Sequence, residues 1–324
     1  MRYGGHYSAS RDDVRHDGSM TSIVKRIVEL DWQLFQIFFG SHKSYNRKNP
    51  SDIDIRQALK LLEEHNIHFY THFPYIMNLA KLDVRIDSVQ TELTRIAKLG
   101  GRCVIHPNSY TDAKYSNRQI SSILSKMLVV EDPQSTSTGI KTNLTKAEIS
   151  KLAQWRSDYY KAIDNIIENL TSLDYPDNVE YPLLLEPPAG EGKKFGWCME
   201  QLEALFERTP DQVGLCIDTC HLFAAGECRF DSAESVDKLF GDLDRVVGLR
   251  KVKLVHLNDS KAPFASMKDQ HAPLTQGEIW SDGIQGLVRL WQLCIKHEID
   301  VVSEVSSEID HKVMQQLDLH INQS

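Results

Sequence analysis

Nine side chains in this sequence are of metal-binding types and fall where a metal site would need them. His72 closes off the run IHFYTHF (67–73), His106 ends RCVIH (102–106) and Glu186 ends PLLLE (182–186). Asp218 ends VGLCID (213–218), His256 lies towards the end of VKLVHLN (252–258), and Glu304 towards that of IDVVSEV (299–305). Imidazoles and carboxylates at the ends of apolar runs are out of place unless they face a site. Asp218 and His221 straddle the turn in IDTCH. Asp269 and His271 stand two apart in KDQH, a spacing that puts both on one side of extended backbone. Each residue alone has a plainer reading: a hydrogen-bonded core histidine, a glutamate paired with a barrel lysine or arginine, an aspartate capping a helix. Together they are five His and four carboxylates with no Cys. That set favours Zn²⁺ or Mn²⁺ over Mg²⁺ or Ca²⁺, and it exceeds what one tetrahedral ion can use, so a cluster is implied.

The elements that must position these groups alternate regularly. Short β-branched or aromatic runs occur at 2–7, 33–39, 67–73, 102–106, 182–186, 213–218, 252–258 and 299–305. Helix-period stretches lie at 51–64 (with Ser51 as N-cap), 84–99, 145–171, 197–208, 233–248, 284–297 and 308–318. Near-continuous apolar strands suit a parallel sheet covered by helices. Eight such units predict an α/β fold, a (β/α)8 TIM barrel forming a single catalytic domain over 1–324. In that fold the C-terminal strand ends converge on one mouth, where active sites are built. Residues 111–147, with the polar stretch EDPQSTSTGIKTN, are long for a βα connection and read as a surface insertion after strand four.

Composition is ordinary for a globular chain of 324 residues, 41% hydrophobic and 25% charged. No apolar run approaches the roughly 20 residues of a membrane span. The N-terminus, MRYGGHYSASRDDVRHDG, has neither a signal-peptide core nor transit-peptide character. A soluble, intracellular protein is expected, with cytoplasm, nucleus and virion all open. Six cysteines form no CxxC pair, and Cys216 and Cys220 sit in an apolar run, so reduced thiols acting as small hydrophobes are expected. The net charge of −8 opposes nucleic-acid binding if taken alone, yet three Zn²⁺ would bring the total to −2, and the field at a cleft follows local charge.

The motifs HPNSY (106–110), LLLEPPAGEG (183–192), GLCIDTCHLFAAGE (214–227), VKLVHLNDSK (252–261) and KDQHAPLTQGEI (268–279) resemble those of the endonuclease IV family of apurinic/apyrimidinic-site endonucleases. GGHYSAS, LFQIFF and HFPYIMNLA fit the same family, so the resemblance spans nearly the whole chain outside 111–147 and a short stretch near 11–18. It implies three Zn²⁺ per chain, with Mn²⁺ possible at one site. One ion would take His72, His106 and Glu186. A second would take Glu186 as a bridge with Asp218, His256 and Glu304, and a third, more exposed, His221, Asp269 and His271. Glu186 would also help position the attacking water, giving it a catalytic role. The implied reaction is hydrolysis of the phosphodiester 5′ to an abasic site, leaving a 3′-hydroxyl, with removal of 3′ blocking groups. The implied partner is double-stranded DNA carrying abasic sites or blocked 3′ ends, met by a monomer. Tyr75 and Ile76 match the family's wedge positions, which fill the gap left by a flipped nucleotide.

Departures cluster on the DNA side. Lys43 stands where the family has Arg, keeping charge but losing the planar fork. Gln270 replaces an Arg, Ala265-Ser266-Met267 replaces Gly-Ser-Arg, and Pro187-Pro188 replaces Asn-Thr. Two other readings remain open. A xylose-isomerase-like sugar isomerase or epimerase also places Glu, Asp and His at barrel strand ends, but needs only one or two ions. A catalytically weakened damaged-DNA binding protein would keep the ligands and lose turnover.

Overall fold

The computed structural model describes residues 1–7, 19–38, 51–82, 85–130, 139–142 and 144–322. Lys43 and the SAS of GGHYSAS lie outside the described residues. The chain begins β1 (Tyr3–His6), α1 (Met20–Glu29), β2 (Leu34–Ile37), α2 (Asp52–Glu64), β3 (His68–His72), α3 (Ile86–Ala97), β4 (Arg102–Ile105). Then come α4 (Asn117–Leu124), a hairpin of β5 (Met127–Val130) and β6 (Gly139–Thr142), and the long α5 (Lys146–Thr171). The alternation resumes with β7 (Leu183–Leu185), α6 (Met199–Phe206), β8 (Val213–Asp218), α7 (Thr219–Ala225), α8 (Ala233–Val246) and β9 (Val252–His256). It ends with the two-residue β10 (Asp259–Ser260) and β11 (His271–Ala272), then α9 (Gln285–Lys296), β12 (Asp300–Ser303) and α10 (Glu308–Asn322).

Strands β1, β2, β3, β4, β7, β8, β9 and β12 close into a parallel barrel in that order. All eight apolar runs of the sequence are its staves, as the (β/α)8 expectation required. Helix starts follow local chemistry. The Ser51 hydroxyl accepts from the Asp54 N–H at the head of α2, and a Thr145/Glu148 capping box opens α5. Helices α1, α4 and α7 were not among the expected helical stretches. The 111–147 segment thus holds a capped helix, with Ile120 and Ile123 buried, as well as the hairpin.

Two apolar layers form. The larger lies between the barrel and its helices. The smaller fills the barrel itself with Leu34, Tyr70, Val104, Leu184, Cys216, Leu254 and Val302, one residue from each of seven staves. The eighth stave contributes Gly4, where an added Cβ would lie 1.8 Å from the Leu34 carbonyl oxygen, so only glycine fits. Because strand side chains alternate, the residue two further on in each stave points to the same interior, one level nearer the mouth.

The opposite end of the barrel is tied by Asp300, which is 5% exposed. It accepts from the Arg2 N–H (2.9 Å) and the Tyr70 hydroxyl (3.0 Å), and pairs with His68 Nδ1 at 2.6 Å. Burial opposes its charge, but the His68 imidazole, the Arg2 amide and the Tyr70 hydroxyl outweigh burial and hold the carboxyl below its ordinary range. Asp300→Asn is expected to cost about 1–3 kcal/mol of stability, measured as a lower denaturation midpoint at neutral pH. A depressed folded pKa contributes stability in full above the unfolded value of about 3.9 and loses it as pH falls through the folded value. The two proteins should therefore converge in stability only in strong acid.

Candidate metal centre

Two residues beyond each member of the barrel-filling layer stand Gln36, His72, His106, Glu186, Asp218, His256 and Glu304. The same step from Gly4 gives His6. One alternation therefore converts an apolar plug into a polar ring at the mouth. Six of the nine expected residues belong to this ring, and the other three come from α7 and the segment through β11. His221 lies on α7, whose N-cap is Asp218: its Oδ1 accepts from the His221 N–H at 3.0 Å. The capping role and the site role of Asp218 coexist, because its other oxygen faces inward. Asp269 and His271 lie on the strand that returns through β11, and the intervening Gln270 is exposed.

The side chains meet in overlapping groups. His72, His106 and Glu186 offer atoms all within 4.8 Å of one another, and so do Glu186, Asp218, His256 and Glu304, and likewise His221, Asp269 and His271. Asp218 and His271 also approach Cys220. Burial pushes that thiol up to about 12, so it stays protonated and is a poor ligand.

Four of the five imidazoles are oriented from behind. His72 Nδ1 donates to the Phe73 carbonyl (2.6 Å), His106 Nδ1 to the Glu186 carbonyl (3.1 Å), and His221 Nδ1 to the Pro187 carbonyl (2.9 Å). His256 Nε2 donates to Gln36 Oε1 (2.9 Å), while the Gln36 amide donates to Glu304 Oε1 (3.2 Å). A carbonyl only accepts, so the proton of each neutral ring sits on the outer nitrogen and the inner nitrogen presents a lone pair. Asn258 braces the acids: its amide donates to Asp218 Oδ2 (2.7 Å) and Glu304 Oε2 (3.2 Å), and its Oδ1 accepts from the Glu304 N–H (3.1 Å).

Those inner nitrogens face carboxylate oxygens. His72 Nε2 is 2.8 Å from Glu186 Oε2, and His256 Nδ1 is 2.9 Å from Glu186 Oε1. Two acceptors at that distance repel unless a cation, proton or metal, is shared between them. His221 and His271 give the same signal differently. Each Nε2 is buried without a hydrogen-bond partner, although an Asp269 oxygen lies 3.3 Å from one and 3.1 Å from the other, off the line a hydrogen bond needs. An all-nitrogen-and-oxygen donor set with unspent lone pairs fits a group of divalent cations.

Protonation follows the same demand. Burial pushes the Asp218 carboxyl up. Burial also opposes the charge on Glu186, but the imidazoles of His106, His256 and His72 pull it well below the usual range. His271 is lifted to about 9, since Asp218, Asp269 and Glu304 outweigh its burial. His106 is instead lowered to about 4 by burial, leaving a neutral ring.

Tyr75 and Ile76 are 48% and 37% exposed, so they stand at the rim and are not core. The Tyr75 ring packs edge-on against His72 at 5.5 Å and tilted against His106 at 5.9 Å. Asn108 holds this loop by donating to the Tyr75 carbonyl at 2.7 Å. Pro187 and Pro188 are buried, and the Pro187 carbonyl that orients His221 is backbone, so the change from Asn-Thr leaves that contact in place. Gln36 and Asn258 escaped the sequence reading. Gln36 carried a signal, since it obeys the same two-residue step as the ligand-type residues.

Known proteins resemble this chain in sequence and fold. A family model described as a xylose isomerase-like TIM barrel matches residues 137–289. A Haloarcula marismortui protein named "Probable endonuclease 4" is 30% identical over 295 residues, covering 89% of this chain and 87% of its own. The chain belongs to the endonuclease IV family. The crystal structure of endonuclease IV from Thermus thermophilus superposes with a TM-score of 0.67 at 25% identity, covering 100% of both chains. L-ribulose 3-epimerase, at 14% identity and a TM-score of 0.51 over 95% of this chain and 82% of its own, shares the fold alone.

For this endonuclease IV relative, Asn258→Ala is expected to loosen Asp218 and Glu304 together. Metal affinity should fall about 10–100-fold, as when an outer partner of metal ligands is lost, measured by competition with a chromophoric chelator.

Proposed function

We propose that this chain is a zinc-dependent DNA-repair endonuclease that hydrolyses the phosphodiester 5′ to an abasic site, leaving a 3′-hydroxyl, and also clears blocked 3′ ends. The observation that carries this reading is the set of inward imidazole nitrogens gathered against buried carboxylates at the barrel mouth. His72, His106 and Glu186 would hold one Zn²⁺; Glu186, Asp218, His256 and Glu304 a second; His221, Asp269 and His271 a third. When bound, such ions make a water nucleophilic near neutral pH and offset charge on the phosphate oxygens.

The protein's own part is orientation and exclusion. Glu186, 1% exposed, spans the first two groups and so ties them to one geometry. The carbonyls of Phe73, Glu186 and Pro187 and the amide of Gln36 keep four imidazoles from turning. Tyr75 and Ile76, exposed beside His72 and His106, can enter the gap that an extruded abasic nucleotide leaves in the stack. A nucleotide without a base costs least to extrude, which accounts for the choice of lesion. Lys43 and Gln270 are assigned to the DNA side as well. The chain is proposed to act as a monomer. Among the described residues no helix is long and apolar enough to cross a membrane.

The zinc-loaded protein should nick a duplex at a single abasic site and carry three zinc ions per chain by elemental analysis. His106→Ala and Glu186→Gln should each lower nicking more than about 100-fold while circular dichroism stays unchanged. Binding without scission, or an unchanged rate in either variant, overturns the assignment, and one ion per chain points to the sugar-epimerase chemistry instead. Lys43→Ala should weaken binding and reduce the salt slope by about one, with nicking still detectable.

A further inference from the structure

The segment between β4 and the barrel-packing half of α5 is not accounted for by the metal centre. Its residues 111–157 hold seven Lys or Arg against four Asp or Glu, in a chain whose total charge is −8. Positive charge is therefore concentrated in a segment that supplies no stave of the barrel. Helix α5 is 26 residues long, yet its first buried residue is Asp158. The 12 residues before it, Lys146 to Ser157, would extend about 18 Å at 1.5 Å per residue. A helix that connects parallel staves runs back from the mouth, so this half of α5, which holds no fully buried residue and touches the core through Trp155, stands on the mouth side of the barrel.

The base of this projection is built into the rim. The Asp158 carboxylate accepts from the Lys114 N–H at 3.0 Å, and Tyr159 packs on Phe195 of the β7 loop at 5.3 Å. Tyr110 N–H donates to the Lys193 carbonyl, and Ser109 bridges to Lys194. On the other side Asn78 donates to the Ser109 carbonyl (2.8 Å) and Asn108 to that of Tyr75. A continuous rim thus leads from the Tyr75–Ile76 loop through 108–110 to the projection.

Lys126 of this segment is spent on Glu148, but two other lysines meet at one aromatic ring. Lys114 Nζ and Lys151 Nζ lie 5.6 and 5.7 Å from the centroid of the same Tyr115 ring. Among the described residues neither meets a carboxylate. Lys193 Nζ rests on the Thr111 carbonyl at 3.2 Å. Tyr115 thus keeps two ammonium groups close to one place on the segment, and an anion there is attracted by both.

We propose that α4, the mouth-side half of α5 and the Lys114/Lys151/Tyr115 cluster form an arm that grips the phosphate backbone of duplex DNA on one flank of the lesion. This rests on the DNA reading of the mouth. Lysines supply point charges without base readout, so the arm adds sequence-independent, salt-sensitive affinity and lengthens the footprint. It also supplies locally the positive charge that Gln270 and Met267 do not carry in the loop of the third group.

The test uses the zinc-loaded full chain and abasic duplexes of about 30 base pairs, with kcat/KM for nicking measured across salt concentrations. K114E/K151E should lower kcat/KM about tenfold near 0.1 M salt and reduce the salt slope by about two, one per lysine. K114Q/K151Q, which removes charge without reversing it, should show the same trend at smaller size. Trimming one flank of the duplex to about five base pairs should abolish the difference between wild type and variants, and trimming the other should not. Equal slopes and rates on the long duplex overturn the arm, as does a loss of the same size on every duplex, which would mark damage to the mouth. If the wild type neither nicks nor binds the abasic duplex, the DNA reading itself fails and takes the arm with it. Wild-type nicking with indifferent variants removes the arm alone.

Discussion

Glu186 and Asp218 are essentially without solvent exposure, and Glu304 lies beside them, so three carboxylates share the interior of one barrel mouth. Buried charge of one sign is intolerable unless matched, and here the nearest matching groups are imidazoles, four of which have their outer nitrogens already committed to carbonyls. The demand for cations at this place is the constraint on which the rest depends. It accounts for the lowered carboxyl of Glu186, the raised imidazole of His271 and the orphaned Nε2 atoms of His221 and His271. Bound divalent cations would meet all of these at once, and protons meet them only in part.

The barrel makes such a concentration of charge possible. A layer of Leu34, Tyr70, Val104, Leu184, Cys216, Leu254 and Val302 seals the interior immediately below the ring. That seal keeps water from the lower face of the site, so the polar groups interact in a medium of low dielectric where both attraction and misplacement count heavily. Gln36 and Asn258 fix the geometry within it. Each hydrogen-bonds two residues of the site at once, so neither the imidazole of His256 nor the carboxylates of Asp218 and Glu304 can turn independently. Asp300, with Tyr70 and His68, performs the corresponding task at the far end, where only stability is at stake.

The loops divide the remaining work. The segment through Tyr75 and Ile76 offers apolar surface at the rim, while the 111–157 stretch offers positive charge beyond it. An apolar wedge and a charged flank are the two kinds of contact that a bent duplex with a missing base would call for.

Much was legible in the residues alone, because period-two alternation is a local property. Eight apolar runs announced eight staves, and six ligand-type residues at their ends announced a mouth. Asp269 and His271 were legible through their spacing, and Ser51 through helix capping. The order of the motifs indicated the family. What the sequence could not decide is distance between staves. Gln36 lies in β2 and His256 in β9, 220 residues apart, and their hydrogen bond exists only because the barrel closes. Asn258 looked like any loop asparagine until the fold laid Asp218 and Glu304 against it. Pro187 and Pro188 seemed to belong to the DNA-facing surface, and packing buried them. Local pattern specifies which way a side chain points, whereas only tertiary closure specifies what it meets.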